Sequence, residues 1–415
     1  MKRRFGLLGG RLVHSHSPML HGLLADYEYR LYEKKPEELD GFLRSGDFDG
    51  LNVTIPYKQA VIPYLAEISP QARRIGSVNT IVRRQGGALY GDNTDAAGMQ
   101  AALNGIPASI SGQKVLVLGS GGTSLTACDV VRQAGGTPVV ISRKGENTYD
   151  QLEKHGDAAG LINATPVGMY PNVEASPVDL TRLPHLRFVM DAVYNPLRTR
   201  LLLQANELGI PCAGGLTMLV WQAAYACQLF TGQPLPARRV LDAERKLRKK
   251  VTNLVIVGMP GAGKSSLGRL AARDLDMPLV DLDEEIVRAA GQSIPHIFEA
   301  EGEAGFRRRE AEALRQAALK GGQVIVTGGG APVSAQNREW LRMNGVVAHI
   351  TRPIAALPTE GRPVSQANSL EALWQMRKAD YAACADVTLP NETTLQACAS
   401  AVEEAYHEAL CPERS

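Results

Sequence analysis

A chain of 415 residues, 44% hydrophobic, 21% charged and 5% aromatic, has room for two or three folded domains at about 100 to 200 residues each. Its 45 Lys and Arg nearly balance 43 Asp and Glu, for a formal charge of +2, and that sum marks neither nucleic acid nor an anionic membrane as the partner. The 41 Gly and 24 Pro are dispersed, which excludes a collagen repeat or a long disordered tract.

In chain order, Met1-Lys2-Arg3-Arg4 has the basic look of a signal peptide, but the apolar stretch behind it is broken by Arg11 and His14 and lacks a small-residue cleavage site. The protein is expected to stay in the cytoplasm. Its six cysteines form no CxxC pair and have no His at zinc-ligand spacing, which predicts reduced thiols. Short apolar runs follow at 51–55, 114–118, 138–142, 188–191, 253–257, 323–327 and 346–350. Each closes on Gly or a polar turn and is separated from the next by helical periods, the pattern of parallel strands buried on both faces. The expected class is α/β. The apolar span 215–230 contains Gln222 and Gln228 and falls short of the about 20 residues a bilayer requires, so it reads as a buried helix. The basic stretch 238–250 reads as a solvated linking helix with Val240, Leu241 and Leu247 as a narrow apolar stripe, and a domain boundary falls near 248–252.

Two strands run straight into glycine loops, and each such loop normally opens its own nucleotide-binding sheet. After 114–118 comes Gly119-Ser-Gly121-Gly122-Thr123-Ser124, a variant dinucleotide loop whose glycines let backbone N–H groups and a helix N-terminus approach a pyrophosphate. The next strand ends in Ser142-Arg143-Lys144, where an NAD site would carry an acid for the ribose 2′-OH. Two cations there suit a 2′-phosphate, the planar fork of Arg143 and the point charge of Lys144 favouring NADP. After 253–257 comes Gly258-Met-Pro-Gly261-Ala262-Gly263-Lys264-Ser265-Ser266, a full GxxxxGK[ST] loop. Its N–H groups wrap phosphate oxygens, Lys264 reaches the outer phosphates and Ser265 ligates Mg²⁺. Kinase, ATPase and GTPase remain open at this point, although no guanine-reading NKxD is present.

Further motifs flank the first loop: Gly9 through Ser15-His-Ser17-Pro18, Asn52-Val-Thr54-Ile-Pro-Tyr-Lys58, Ser77-Val-Asn79-Thr80, Gly91-Asp-Asn-Thr-Asp95, Asp191-Ala192-Val-Tyr194, and Gly215 with Gln222. This succession resembles shikimate dehydrogenase over about residues 3 to 245. The resemblance implies that Ser15 and Ser17 hold the substrate carboxylate, that Thr54, Asn79, Tyr194 and Gln222 orient the ring, and that Lys58 and Asp95 form the catalytic pair. It implies NADP(H) bound by Gly119, Gly121, Gly122, Ser142, Arg143, Lys144, Ala192 and Gly215. Reducing a ketone leaves charge on oxygen that a positioned acid must neutralise, and a lysine can supply the proton. His14, His16 and His21 are given no proton by the resemblance and read as structural hydrogen-bonders. The cofactor region departs from the family: Thr123, Leu125 and Thr126 stand where alanine, arginine and alanine are usual, Ser142-Arg143-Lys144 replaces Asn-Arg-Thr, and about 18 residues before Asn163 leave little room for a helix-strand unit.

Beyond the second loop lie Asp281-Leu-Asp283, Phe306-Arg307 with Glu310, Gly328-Gly329-Gly330, Gly361-Arg362-Pro363 and Arg377 through Tyr381. These resemble shikimate kinase over about residues 252 to 410. The resemblance implies that Asp283, Arg307, Gly329 and Arg377 hold shikimate, with Asp283 as base. Gly261, Ala262, Gly263, Lys264, Ser265, Ser266 and Arg362 would hold ATP, Lys264 acting in catalysis, and Ser265 with Asp281 would hold Mg²⁺. The stretch 352–362 is short and lacks a further upstream arginine, and Ala383 replaces a glutamate.

The expected organisation is a catalytic lobe at 1–100 completed by about 215–245, a Rossmann-like NADP lobe at 101–214, a linking helix at 238–251 and a P-loop domain with a parallel sheet at 252–415. The product of the first activity is the substrate of the second. The expected function is therefore bifunctional: NADPH reduces 3-dehydroshikimate to shikimate, and Mg·ATP phosphorylates shikimate, with no nucleic-acid or membrane partner and the oligomeric state open. The alternatives are one active half beside a binding or regulatory remnant, and quinate as a first-half substrate.

Overall fold

The computed structural model describes residues 3–12, 15–357 and 369–410, and the strands among them form three sheets. The chain divides into two units, Met1–Asn195 with Thr199–Leu247, and Pro196–Arg198 with Arg248–Ser415.

The first unit holds two sheets. β1 (Arg4–Gly9), β2 (Glu28–Glu33), β3 (Gly50–Val53), β4 (Glu67–Ile68), β5 (Thr80–Arg83) and β6 (Leu89–Asp92) lie in the order β2-β1-β3-β5-β6-β4. β1 pairs in parallel with β2 and β3, and β4 with β6, while β5 runs antiparallel to β3 and β6. This sheet is thus mixed rather than all-parallel. The reversal at β5 brings Asn79, just before it, beside Val53, whose N–H donates to the Asn79 carbonyl at 2.7 Å.

β7 (Lys114–Leu118), β8 (Thr137–Ile141), β9 (Gly160–Asn163), β10 (Phe188–Asp191) and β11 (Cys212–Ala213) form the second sheet, all parallel, in the order β11-β10-β9-β7-β8. Strand order reverses beside β7, and the glycine loop leaves its carboxyl end, the position where doubly wound sheets bind nucleotides. Apolar layers cover both faces: Val115, Val117 and Ile162 point into one and Leu116, Leu118 and Leu161 into the other. Between β8 and β9 only a 3₁₀ turn, Tyr149–His155, is present, and its Leu152 is fully buried in the second layer. One inserted leucine covers the sheet where a helix would otherwise lie.

The predicted apolar helix is Gly215–Thr231, packed on the helix Asp95–Asn104. The basic stretch is helical over Ala237–Val251, but its buried stripe is Val240, Ala243 and Leu247, with Leu241 only half-buried. A stripe at i, i+3, i+7 faces one side of a helix, and Leu241 sits about 100° off it. Within the first unit this helix is anchored, since Thr217 donates to Glu244 at 2.6 Å and Arg239 to the Leu23 carbonyl at 3.2 Å.

The second unit is built on β12 (Asn253–Gly258), β13 (Leu279–Asp281), β14 (Val324–Val326), β15 (Gly345–Thr351) and β16 (Val387–Pro390), all parallel, in the order β13-β14-β12-β15-β16. The phosphate-loop motif again leaves the central strand, β12, at its carboxyl end. The charged helix runs Ile294–Ala318 and is broken at Gly302 (φ 67°), with Arg309 clamping Glu301 across the break through two nitrogens. No described helix is long and apolar enough to cross a membrane.

Candidate active sites

In the first unit the loop after β3 carries Lys58, and the helix Asp95–Asn104 begins with Asp95. Lys58 Nζ donates to Asp95 Oδ2 at 2.5 Å, with side chains only 15% and 8% exposed. Two further ties fix the pair. Val78 N–H donates to the Lys58 carbonyl at 2.8 Å, and the adjacent Asn79 donates through Nδ2 to Asp95 Oδ1, also at 2.8 Å. The carboxylate therefore faces one cation and one amide.

The nucleotide loop reaches the same place. A Cβ on Gly122, at the start of the helix Gly122–Gln133, would lie 2.7 Å from Ser77 Oγ and 3.3 Å from Lys58 Cδ. Gly119 has φ +107°, open to glycine alone without strain, and any Cβ there would meet Thr165 at 2.9 Å. The helix carries no acid in its first turn and no side-chain cap, so its N–H groups suit phosphate oxygens. Two departures from the family sequence acquire a physical reason here. Thr126 is fully buried, its hydroxyl donating to the Gly122 carbonyl at 3.0 Å and accepting from Asn93 at 3.3 Å, and Leu125 packs on the apolar layer. Ser142 caps its own turn by donating to the Lys144 carbonyl, which leaves Arg143 and Lys144 exposed past β8.

The remaining predicted first-unit residues come from separate loops and helices. Thr54 directly follows β3, its N–H donating to the Leu8 carbonyl at 2.9 Å. Ser17 is buried and donates its N–H to Ser15 Oγ at 3.2 Å. Tyr194, whose hydroxyl burial makes harder to ionise, has its ring 6.0 Å from that of His16 between those serines. Gln222 lies on the helix that Gly98 packs against, but its amide turns back to the Leu219 carbonyl at 2.9 Å. Ala192 and Gly215 touch, and a Cβ on Gly215 would lie 2.2 Å from the Ala192 carbonyl oxygen. His14 lies outside the described residues. His21 is fully buried and burial pulls its pKa down to about 3, so it is neutral.

In the second unit a cavity of about 610 Å³ opens at the phosphate loop. Gly261, Gly263, Lys264, Ser265, Ser266, Asp281, Asp283, Arg307, Gly329 and Arg377 all line it. Ala262 is buried within the loop, its carbonyl accepting from Asn391 at 2.8 Å. Lys264 donates to the carbonyls of Gly258 and Met259 at 3.0 Å each, so its ammonium is held over the loop. Ser265 Oγ donates to Asp281 Oδ2 at 2.9 Å, a pair of hard oxygens of the kind magnesium takes. Asp281 also caps the next helix, accepting the Asp283 N–H at 3.1 Å, which aims the Asp283 carboxyl into the cavity. Burial pushes Asp283 above the usual carboxylate range, helped by Asp281 and opposed by Lys264 and Arg307.

Arg307 donates to Glu310 at 2.7 Å and to Glu303 at 3.2 Å. A Cβ on Gly330 would lie 2.5 Å from the Arg307 guanidinium, so the glycine turn and Arg307 occupy one wall. Arg377, buried, and Tyr381 both donate to the Gly329 carbonyl, at 3.2 and 2.5 Å. Tyr381 stacks on His349, whose pKa burial, then Lys264, lowers to about 4. Arg362 lies outside the described residues. The apolar end of the cavity, Val287, Ile294, Pro295 and Phe298, carries no motif in the sequence, because only the fold brings that helix start against Phe306. The same holds for the buried residues behind Asp95 and for the two-toothed Arg74–Asp129 pair at 2.6 and 3.0 Å.

Comparison with known proteins covers both units. The family model for the shikimate dehydrogenase substrate binding domain matches residues 7–81, that for the shikimate 5'-dehydrogenase C-terminal domain 215–243, and that for shikimate kinase 260–407. A shikimate dehydrogenase (NADP(+)) of Caldanaerobacter subterraneus is 35% identical over 257 residues, 55% of this chain and 91% of that protein. One from Thermus thermophilus is 38% identical over 248 residues, 55% and 92%. Among solved structures, a chorismate mutase/shikimate 5-dehydrogenase fusion protein of Clostridium acetobutylicum superposes with TM-score 0.56 at 33% identity, covering 60% of this chain and 97% of that one. A Thermus thermophilus shikimate 5-dehydrogenase in complex with NADP(H) and shikimate gives 0.53 at 36% identity, covering 59% and 99%. With nearly the whole length of such relatives spanned by its first part and a kinase match filling its second, the chain belongs to the shikimate dehydrogenase family and carries a shikimate kinase domain behind it.

Proposed function

We propose that this chain reduces 3-dehydroshikimate to shikimate with NADPH in the lobes 1–100 and 101–214, completed by 215–245, and phosphorylates shikimate with Mg·ATP in 252–415. The observation that carries the first half is the buried Lys58–Asp95 pair facing the start of the glycine-loop helix. That helix N-terminus, with Arg143 and Lys144 toward the 2′-phosphate, would hold NADPH, which when bound would supply hydride to the carbonyl carbon. Ser15 and Ser17 bind the carboxylate, Thr54, Asn79, Tyr194 and Gln222 orient the ring, and Asn79 also fixes Asp95. As charge develops on the carbonyl oxygen, the Lys58 ammonium gives it a proton, and Asp95 holds Lys58 in line and stabilises the charged form that reloads from solvent.

In the second half, the convergence of Lys264, Asp283, Arg307 and Arg377 on one cavity supports phosphoryl transfer. Arg307 and Arg377 match a ring carboxylate, and the Gly329 turn sits beneath it. Asp283 accepts the proton of the attacking hydroxyl, and its burial makes it a better base than an exposed carboxylate. ATP supplies the transferred group. Lys264 and the loop N–H groups would neutralise the charge on its phosphate oxygens, and Ser265 and Asp281 would hold the magnesium.

Purified chain supplied with 3-dehydroshikimate, NADPH and Mg·ATP should form shikimate and its phosphate ester. Lys58→Ala should lower the reduction by about 10²-fold or more, the typical share of a positioned acid, and spare phosphorylation. Lys264→Ala should do the reverse. Loss of both activities in either variant, or turnover of quinate in place of shikimate, would contradict the proposal.

A further inference from the structure

Behind Asp95 lies a buried line of polar side chains that reaches it through Asn79. Tyr29 donates its hydroxyl to Asn52 Oδ1 at 2.8 Å, and Asn52 donates through Nδ2 to Thr80 Oγ1 at 3.2 Å. The hydroxyls of Thr80 and Thr94 are 3.0 Å apart, and each lies 3.2 Å from Asn79 Oδ1. Asn79 completes the line by donating to Asp95 Oδ1, opposite Lys58 on Oδ2.

Hydrogen-bond accounting gives the line a direction. Thr94 N–H donates to Asn79 Oδ1 at 2.7 Å, which fixes which end of the amide is oxygen, and the two protons of its NH₂ go to Asp95 Oδ1 at 2.8 Å and Thr94 Oγ1 at 3.1 Å. Thr80 has one proton and accepts that of Asn52, so its own goes to Thr94 or to Asn79 Oδ1. Whichever hydroxyl donates across the 3.0 Å gap, the other passes its proton to Asn79 Oδ1. Tyr29 begins the line as a donor, because burial holds its hydroxyl protonated, and it is stacked 4.0 Å from the neutral His21 ring. Donors in series polarise one another, most strongly where water is excluded. Thr80 is fully buried and Asn52 is 4% exposed.

We infer that Thr80 and Asn52 are positioning residues of the dehydrogenase: a one-way chain of donors from Tyr29 holds the Asn79 amide against Asp95 and so keeps Lys58 aimed at the carbonyl oxygen. Thr80→Val keeps the shape and removes the hydroxyl, leaving the Asn52 amide and the Thr94 hydroxyl without that partner, whereas Thr80→Ser keeps it.

The inference rests on the dehydrogenase reading, and a full-length chain that does not interconvert 3-dehydroshikimate and shikimate overturns both. With an active parent, steady-state assays of Thr80→Val should show kcat for shikimate oxidation down about tenfold, the scale of one lost buried hydrogen bond, with the KM for NADP+ within twofold and phosphoryl transfer unchanged. Thr80→Ser should restore kcat to within twofold. In a double-mutant cycle, Asn52→Leu should lower kcat similarly, and the pair should lose little more than either alone, because both cut the same chain. If Thr80→Val no longer binds NADP+, Thr80→Ala takes its place with the same thresholds. A kcat unchanged in Thr80→Val, a Thr80→Ser as slow as Thr80→Val, or losses that multiply would each overturn this inference while leaving the dehydrogenase standing.

Discussion

Replacing Glu310 by Gln should separate binding from stability in the kinase domain. Glu310 is 1% exposed and lies 2.7 Å from Arg307, and among the described residues its second oxygen has no hydrogen-bond partner. Burial pushes its pKa up, against the pull of Arg307. A carboxyl whose folded pKa is raised contributes stability at pH below its unfolded value, and that contribution is lost as pH rises through the folded value. At neutral pH the charged Glu310 is thus held at a cost, which the attraction of Arg307, on the order of 4 kcal/mol at an effective dielectric of 20, offsets only in part. Glu310→Gln should therefore shift the Tm of the second unit at pH 7 by no more than a few degrees in either direction, and the wild-type protein should lose more Tm than the variant when pH is raised from the ordinary carboxylate value of 4.5 to the assay pH of 7. Binding should respond differently. Arg307 loses its buried carboxylate partner, keeps the exposed Glu303 and the pull of Asp283 across the cavity, and can leave the position from which it meets a carboxylate. A charge-assisted hydrogen bond is worth about 1.5–3 kcal/mol, so the KM for shikimate should rise about 10- to 100-fold with the KM for ATP unchanged. Calorimetry at both pH values and initial rates under saturating ATP measure these quantities. A shikimate KM within twofold of the parent, or ATP and shikimate KM values that rise together, would refute the reasoning.

Arg143→Glu should turn cofactor preference toward NAD, since an acid beyond β8 repels a 2′-phosphate and accepts from a ribose hydroxyl; the ratio of kcat/KM for NADP to that for NAD should fall at least tenfold, and an unchanged ratio would remove Arg143 from the site. Arg74→Ala should leave Asp129, 6% exposed, without its bidentate partner and cost about 1–3 kcal/mol, seen as a Tm several degrees lower for the first unit. Gly330→Ala places a Cβ 2.5 Å from the Arg307 guanidinium and should raise the KM for shikimate in the kinase assay while NADP-linked reduction stays as it was.

Much of each site is legible in the sequence because phosphate chemistry is written locally. A glycine loop needs consecutive residues at the end of one strand, so Gly119–Gly122 and Gly258–Ser266 announce themselves and even select their strands: both leave the sheet position at which strand order reverses. Lys58 and Asp95 are 37 positions apart, and composition or periodicity cannot join them; their motifs can, through resemblance, and the fold then shows the 2.5 Å contact. The details that sequence misjudges are those decided by a third dimension. Leu241 reads as part of the buried stripe of its helix because it is apolar, yet Ala243 takes the place, since which side of a helix is covered depends on its neighbours and not on which residue is greasier. The short stretch before Asn163 does lack a helix, as its length implies; what the sequence does not show is that one buried leucine of a 3₁₀ turn covers the sheet there. Asn52, Thr80 and Thr94 show in the sequence only as polar residues in turn-like motifs. Turn chemistry explains such residues when they are exposed, but these are buried, and a buried polar group persists only when its hydrogen bonds are met. Had each simply satisfied its own backbone, no direction would run through them. Their bonds instead lead from strand to strand toward one carboxylate, and the strand reversal at β5 is what sets Thr80 opposite Asn52 in register. The antiparallel strand in an otherwise parallel neighbourhood is therefore part of how Asp95 is held.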